Sequence, residues 1–135
     1  MALLNWSSNY SVGVQRMDDQ HTILFGMLND LHEAMMKGQA QKIAGALLRK
    51  LVTYTRDHFT AEEGMMAASG YAGLARHRVI HRELTKQVEE FAARYERGED
   101  ALNLQLMNFL RDWLTNHIQK EDKKYGPCVN EHGSR

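Results

Sequence analysis

Proline is almost absent from this chain of 135 residues, and its single copy, Pro127, lies close to the C-terminus. Because proline interrupts the interior of a helix, its absence from residues 1–126 permits long, unbroken helices. Glycine is then the main residue that ends helices, and Gly38, Gly70 and Gly98 each follow a stretch of helix-forming residues. These positions predict four helices, at about residues 19–37, 40–68, 71–97 and 100–124.

Apolar residues in each segment recur every three or four positions, as they do along one face of an amphipathic helix. No segment shows the alternation of a strand, and four helices with short connections pack most simply as an antiparallel bundle. We therefore predict an all-α protein with an up-down-up-down four-helix bundle over residues 19–124. An irregular N-terminal arm (1–18) and a polar, frayed tail (125–135) complete a single domain, 1–135.

The composition excludes several classes of function. The 17 basic and 17 acidic side chains cancel, so no basic surface for nucleic acid is expected. The longest apolar run is far shorter than the about 20 residues of a membrane span, and the N-terminus does not resemble a secretory signal. The lone Cys128 fits a reducing compartment. We therefore expect a cytoplasmic protein that neither binds nucleic acid nor inserts into a membrane.

Polar residues occupy positions on the apolar faces where core residues belong. A single histidine there is commonly a hydrogen-bonded core residue, and an unpaired buried carboxylate is costly. Five histidines and a glutamate together are better explained by a shared metal site than by independent core positions. The six residues are His21, His58, Glu62, His77, His81 and His117.

The spacing of these residues gives the site a shape. His58 and Glu62 are four residues apart, and so are His77 and His81, so each pair lies on one helix face. Asp122 follows His117 by five, which requires either a local change in the last helix or a side chain that reaches back from its end. Seven ligands are too many for one ion and predict two ions bridged by the carboxylates. Imidazole suits iron, copper, zinc and nickel, whereas the lack of thiolates disfavours structural zinc and iron–sulfur clusters.

The order of these ligands resembles the hemerythrin family. His21 comes first, then His58-x-x-x-Glu62, His77-x-x-x-His81 and His117-x-x-x-x-Asp122, and the likeness extends from Trp6 to Tyr125. The N-terminal tryptophan and the run Asp19-Gln20-His21 are similar to single-domain bacterial members, the bacteriohemerythrins.

This resemblance implies two non-haem irons bridged by Glu62, Asp122 and an oxo or hydroxo group. His77, His81 and His117 would ligate one iron. His21 and His58 would ligate the other, which keeps one position open for dioxygen. Five apolar residues match positions that line the family's dioxygen pocket, although each could equally be ordinary core: Leu24, Phe59, Trp113, Leu114 and Ile118.

The expected function is therefore reversible dioxygen binding for carriage, storage or delivery to an unidentified oxygen-accepting protein, without catalysis. The alternatives are a di-iron oxidase or peroxidase, an enzyme that handles nitric oxide, and an oxygen sensor. A sensor usually needs an output domain, and an oxidase would favour more carboxylate ligands. His32, which lies off the main apolar face, is expected to be solvated or to flank the site. Glu63, next to the proposed ligand Glu62, is expected to be solvated. Tyr125 is expected either to donate a hydrogen bond near the site or to lie on the surface.

Overall fold

Long helices dominate the structure, a computed structural model that describes residues 4–37, 43–98 and 104–131. Four helices carry most of the chain: α1 (Gln15–Met36), α2 (Gly45–Ala68), α3 (Leu74–Glu96) and α4 (Leu104–Lys120). A 3-10 turn (Asp122–Lys124) and a short helix, α5 (Gly126–Glu131), follow. The described residues contain no β-strand, and the prediction of an all-α four-helix bundle is confirmed.

The helices are packed through their predicted apolar faces. α2 lies between α1 and α3, and α1 also contacts α4. Leu28, Leu48, Leu51 and Leu110 are among the side chains with no exposed surface, so leucine forms much of the core. Burying a leucine side chain contributes about 1.5–3 kcal/mol, and this term holds the four helices in register around the polar residues at the centre.

The helix ends follow the predicted glycines where the structure describes them. Gly70 and Gly98 have φ values of +71° and +77°, a left-handed conformation that glycine adopts without strain. Gly38 lies outside the described residues. The first helix begins at Gln15 rather than at about residue 19, because the carboxylate of Asp18 accepts hydrogen bonds from Ser11 and Val12 within the first helical turn.

The N-terminal arm lies across the bundle. Asn29 on α1 holds the backbone of Leu4 with two hydrogen bonds of 2.8 Å, one to its N–H and one to its carbonyl. Trp6 and Tyr10 pack edge-on against Phe25, with ring centroids 5.3 and 4.9 Å away. These contacts fasten the arm to the outer part of α1 and leave the ligand-bearing faces directed inward.

The C-terminal segment differs from the frayed tail that its polar composition predicted. Its residues through Glu131 form α5, in which Gly126 and Val129 are buried. A Cβ at Gly126 would overlap the carbonyl of Val12, so only glycine lets the arm approach this closely. Asn130 also donates to the carbonyl of Gly13. The arm and the C-terminal segment therefore hold each other in place, and composition alone did not reveal this contact.

Candidate metal centre

All seven residues proposed as metal ligands meet in the centre of the bundle, and none is more than 6% exposed. Their ligand atoms form two overlapping groups, within each of which all atoms lie within 4.8 Å of one another. One group contains His77, His81 and His117, and the other contains His21 and His58. Glu62 and Asp122 belong to both groups. This arrangement is what two adjacent cations with shared carboxylates require.

Each carboxylate faces histidines of both groups. Oε1 of Glu62 lies 3.3 Å from His58 Nε2 and 3.2 Å from His81 Nε2, while Oε2 lies 3.3 Å from His21 Nε2. Asp122 mirrors this pattern, with Oδ1 2.9 Å from His77 Nε2 and Oδ2 3.1 Å from His21 Nε2. The carboxylate oxygens therefore lie between the histidines of the two groups, where both groups share them.

The uneven spacing between His117 and Asp122 comes from a change of helix type. α4 ends at Lys120, and Asp122 begins the tighter 3-10 turn that follows. This turn brings Asp122 Oδ1 to 3.0 Å from His117 Nε2. Both explanations offered by the sequence therefore apply: the chain tightens into a 3-10 turn, and Asp122 reaches back to His117 from beyond the end of α4.

Several polar atoms at the centre lack hydrogen bonds although they are fully buried. Within the described residues they include both ring nitrogens of His21, Nε2 of His81 and His117, Oε1 of Glu62 and Oδ2 of Asp122. Such atoms are costly in a protein interior unless a partner satisfies them. Imidazole lone pairs and carboxylate oxygens that converge in this way suit divalent transition metals. The residues present therefore fit a pair of metal ions.

The protonation of the centre also suits cations. Burial lowers the pKa of His58 to about 4, so its imidazole is neutral at physiological pH. Burial and the charge of Asp122 oppose ionisation of Glu62, yet His58, His21 and His81 hold the pKa of this carboxyl below its usual range. Burial also opposes the ionisation of Asp122, but His117, His21 and His77 keep its pKa low. Both carboxylates are therefore ionised.

His21 behaves differently from His58. Burial by itself lowers the pKa of His21, but the carboxylates of Asp122 and Glu62, 3.1 and 3.3 Å from its Nε2, raise it to about 10. In the metal-free protein, His21 thus carries a proton that compensates part of the carboxylate charge. A metal ion that binds here displaces this proton and takes over its role.

The outer ring nitrogens of two histidines have partners that orient them. His58 Nδ1 lies 2.6 Å from Gln20 Oε1, and His81 Nδ1 lies 2.8 Å from Glu63 Oε2. Since both acceptors are oxygens, each Nδ1 donates its proton, which leaves the Nε2 lone pair directed at the centre. Glu63, expected to be solvated, is 26% exposed, and the sequence did not reveal its contacts with His81 and with Arg78, whose Nε lies 3.3 Å away.

Tyr125 is fully buried, and its hydroxyl donates a hydrogen bond of 2.6 Å to Glu62 Oε2. From the sequence, this residue was expected either to donate a hydrogen bond near the site or to lie on the surface. Its spacing of three from Asp122 was the available signal, because both residues then lie on the same side of the chain. Tyr125 thereby restrains one oxygen of a carboxylate shared by both ligand groups. His32, by contrast, is half-buried on α1 and outside the cluster.

A cavity of about 10 Å³ borders the centre, which is about the space that one water molecule needs. His21, His58, His117 and Asp122 line it on the polar side. The apolar side is formed by Phe59, Leu84, Trp113 and Leu114. Three of the five proposed pocket residues are therefore in its wall. Leu24 and Ile118 are buried in the surrounding core, and Leu84 is an additional lining residue.

Among the described residues, no helix is both long and apolar enough to cross a membrane. The sequence model of the family described as "Hemerythrin HHE cation binding domain" matches residues 12–129. The chain is 38% identical to a bacteriohemerythrin of Methylococcus capsulatus over 131 residues, which are 96% of this chain and 99% of that protein. It is 31% identical to a myohemerythrin of Riftia pachyptila over 120 residues, or 89% of this chain and 88% of the relative.

Solved structures are similar over the same range. A crystal structure of wild-type hemerythrin superposes with a TM-score of 0.88 at 38% identity, covering 95% of this chain and 98% of that one. The similarity therefore extends over nearly the whole chain.

Proposed function

The chain belongs to the hemerythrin family, whose members bind oxygen at a non-haem di-iron centre, and we propose that this protein binds dioxygen reversibly for carriage, storage or delivery. In this proposal it converts no substrate. Cytosolic thiols are kept reduced, which suits the free Cys128, so we place the protein in the cytoplasm, where an oxygen-accepting protein would be its partner.

The ligands of the two irons are assigned from the two groups of buried atoms. His77, His81 and His117 would hold one iron, and His21 and His58 the other, with Glu62, Asp122 and an oxo or hydroxo group as bridges. The first iron would then have five protein ligands and the second four, an assignment supported by the five and four residues of the two groups. The second iron is therefore the one with room for dioxygen.

One observation carries the proposal: the smaller ligand group, His21 and His58, lies in the wall of a small cavity whose other wall is apolar. When bound, the iron pair supplies the electrons that dioxygen accepts. Phe59, Trp113 and Leu114 exclude bulk water and its protons from this space, which favours release of dioxygen over irreversible oxidation. Gln20 and Tyr125 hold His58 and Glu62 in place through their hydrogen bonds.

The test is to load the purified protein with ferrous iron without oxygen and then to alternate oxygenation with degassing. We expect two irons per chain and a visible absorption band that appears with oxygen and disappears on degassing. His32→Ala should behave as the unmodified protein does, while His21→Ala should lose the band. One metal per chain, or zinc bound in preference to iron, would contradict the metal assignment. Continuous oxygen consumption with an added reductant would instead favour an oxidase.

A further inference from the structure

Two surface clefts flank the inner cavity, and each cleft has at least one lining residue in common with the cavity. The α2–α3 cleft, of about 530 Å³, is lined by residues such as Arg56, Thr60 and Lys86 and shares Phe59 with the cavity. The α3–α4 cleft, of about 400 Å³, shares Leu84, Trp113 and His117. A ligand that enters the cavity from either cleft must pass a residue that lines both, so the two clefts offer two routes from solvent.

The route through the α2–α3 cleft is closed by a fixed aromatic ring. Phe59 is 5% exposed, and its ring is stacked on that of His81 with a centroid distance of 3.7 Å and an interplanar angle of 3°. It also lies 5.8 Å from the ring of His58 and 5.7 Å from that of His117. Rotation of Phe59 would break these contacts with three proposed ligands, so this side of the cavity is rigid.

The route through the α3–α4 cleft is closed by an aliphatic side chain. Leu84 follows His81 by three residues on α3 and is only partly buried against the core. A leucine with one side toward solvent changes rotamer in picoseconds to nanoseconds, faster than a packed aromatic ring is displaced. Across the cleft, Trp113 is 7% exposed and forms a rigid opposite wall. Leu84 is therefore the movable part of this boundary.

We propose that small ligands enter the inner cavity through the α3–α4 cleft and that Leu84 is the gate residue on this route. The inference rests on the proposed function, because it concerns the site assigned to dioxygen. A gate has a characteristic kinetic effect. It changes the rates of binding and release by the same factor and leaves the dissociation constant unchanged, whereas a residue that stabilises the bound ligand changes that constant.

The experiment uses azide, a small anion that ligates ferric iron, and the oxidised, iron-loaded protein in a stopped-flow instrument. Leu84→Ala should raise the rates of azide binding and release together by about tenfold, the effect of a barrier lower by about 1.4 kcal/mol. Leu84→Phe should lower both rates. Leu84→Val gives an intermediate result and replaces the alanine variant if that variant does not load iron.

Leu47 offers a matched control, because it is a partly buried leucine on α2 that lines neither cleft nor the cavity. Leu47→Ala should leave the azide rates unchanged. Unchanged rates in the Leu84 variants, or faster binding in Phe59→Leu with no effect of Leu84→Ala, would overturn the proposal. Azide binding requires iron but not reversible oxygenation. A result against Leu84 as the gate can therefore be distinguished from a result against the oxygen-binding function, because the oxygenation cycles test the latter separately.

Discussion

The two ends of the metal centre differ in how the protein surrounds them. At the two-histidine end, both His21 and His58 border the inner cavity, whereas only His117 does so at the three-histidine end. His81 is covered by the ring of Phe59, and His77 lies 6.0 Å from the ring of Tyr125. We call the two-histidine end the open end, because both of its histidines border the cavity, and the three-histidine end the closed end, because aromatic rings lie against two of its histidines.

The ends also differ in the groups that orient their histidines. The amide oxygen of Gln20, which is neutral, accepts from His58, whereas the carboxylate of Glu63 accepts from His81. A carboxylate partner makes an imidazole a stronger donor to a metal than a neutral partner does. The closed end is therefore expected to bind its metal more firmly, and the open end to retain the space for a ligand. The difference lies in the neighbours of the histidines as much as in their number.

The largest effect is expected where both ends share a residue. Glu62→Ala would remove a proposed ligand shared by both metal positions and leave Asp122 as the remaining carboxylate. Iron content should fall at both positions, and the increase in melting temperature that metal binding causes should be lost as well. Iron analysis and thermal unfolding measure this, with His32→Ala as the control that retains both irons. Loss of only one iron would show that Glu62 does not serve both ends.

A second variant sharpens the difference between the ends. Glu63→Gln keeps an oxygen near His81 Nδ1 but removes the charge, so the affinity for one of the two metals should fall about 10–100-fold while the other is retained. Anaerobic titration with ferrous iron resolves the two binding steps. Glu83→Gln, at an exposed position on α3, is the matched control. Equal weakening of both steps would mean that Glu63 does not distinguish the two ends.

Making the open end polar should break its function without touching a ligand. Leu114→Asn places a hydrogen-bonding group in the cavity wall, which attracts water and supplies protons. We expect the oxygenated absorption band to decay about tenfold faster, equivalent to a barrier lower by about 1.4 kcal/mol, at unchanged iron content. Leu114→Met conserves volume and apolar character and serves as the control. Equal decay rates in both variants would argue that the apolar wall does not protect the bound ligand.

The last effect concerns pH and needs no metal. The pKa of His58 is lowered to about 4 in the folded protein, so between pH 6.5 and pH 4 this histidine is protonated in the unfolded chain but not in the folded one. The free energy of unfolding therefore falls as the pH drops from 6.5 to 4. Because the pKa of His21 is raised to about 10, the folded chain keeps a proton above pH 6.5 that the unfolded chain loses. Stability therefore falls as the pH rises from 6.5 to 10.

Urea unfolding of the metal-free protein across this range should consequently give a maximum near pH 6.5. The lowered pKa values of Glu62 and Asp122 add to the loss on the acid side, since their contribution is complete only above the pKa values of the unfolded chain. In the iron-loaded protein the metal would replace the proton of His21, so the loss of stability above pH 6.5 should disappear. A metal-free stability that rises steadily from pH 6.5 to 9 would contradict this account.

The sequence was sufficient where a property depends only on helix geometry. A spacing of four residues places His58 beside Glu62 and His77 beside His81 in any α-helix, whatever surrounds it. The absence of internal proline and the apolar periodicity likewise determine that the elements are helices and which face is buried. These local regularities, together with the cost of burying polar groups, were enough to predict an all-α bundle with six of the seven central residues. Asp122 was the exception, because its spacing of five from His117 does not follow helix geometry.

The tertiary structure decided what depends on how the helices and the chain ends meet. Glu63 contacts His81 because α2 and α3 approach at that height, and no periodicity within α2 indicates it. Leu84 belongs to the cavity wall because α3 and α4 leave a cleft beside it. Tyr125 is buried because the arm and α5 cover the end of the bundle. Such contacts join residues far apart in the chain, and their geometry is set by the packing of whole helices, which local propensity and spacing do not encode.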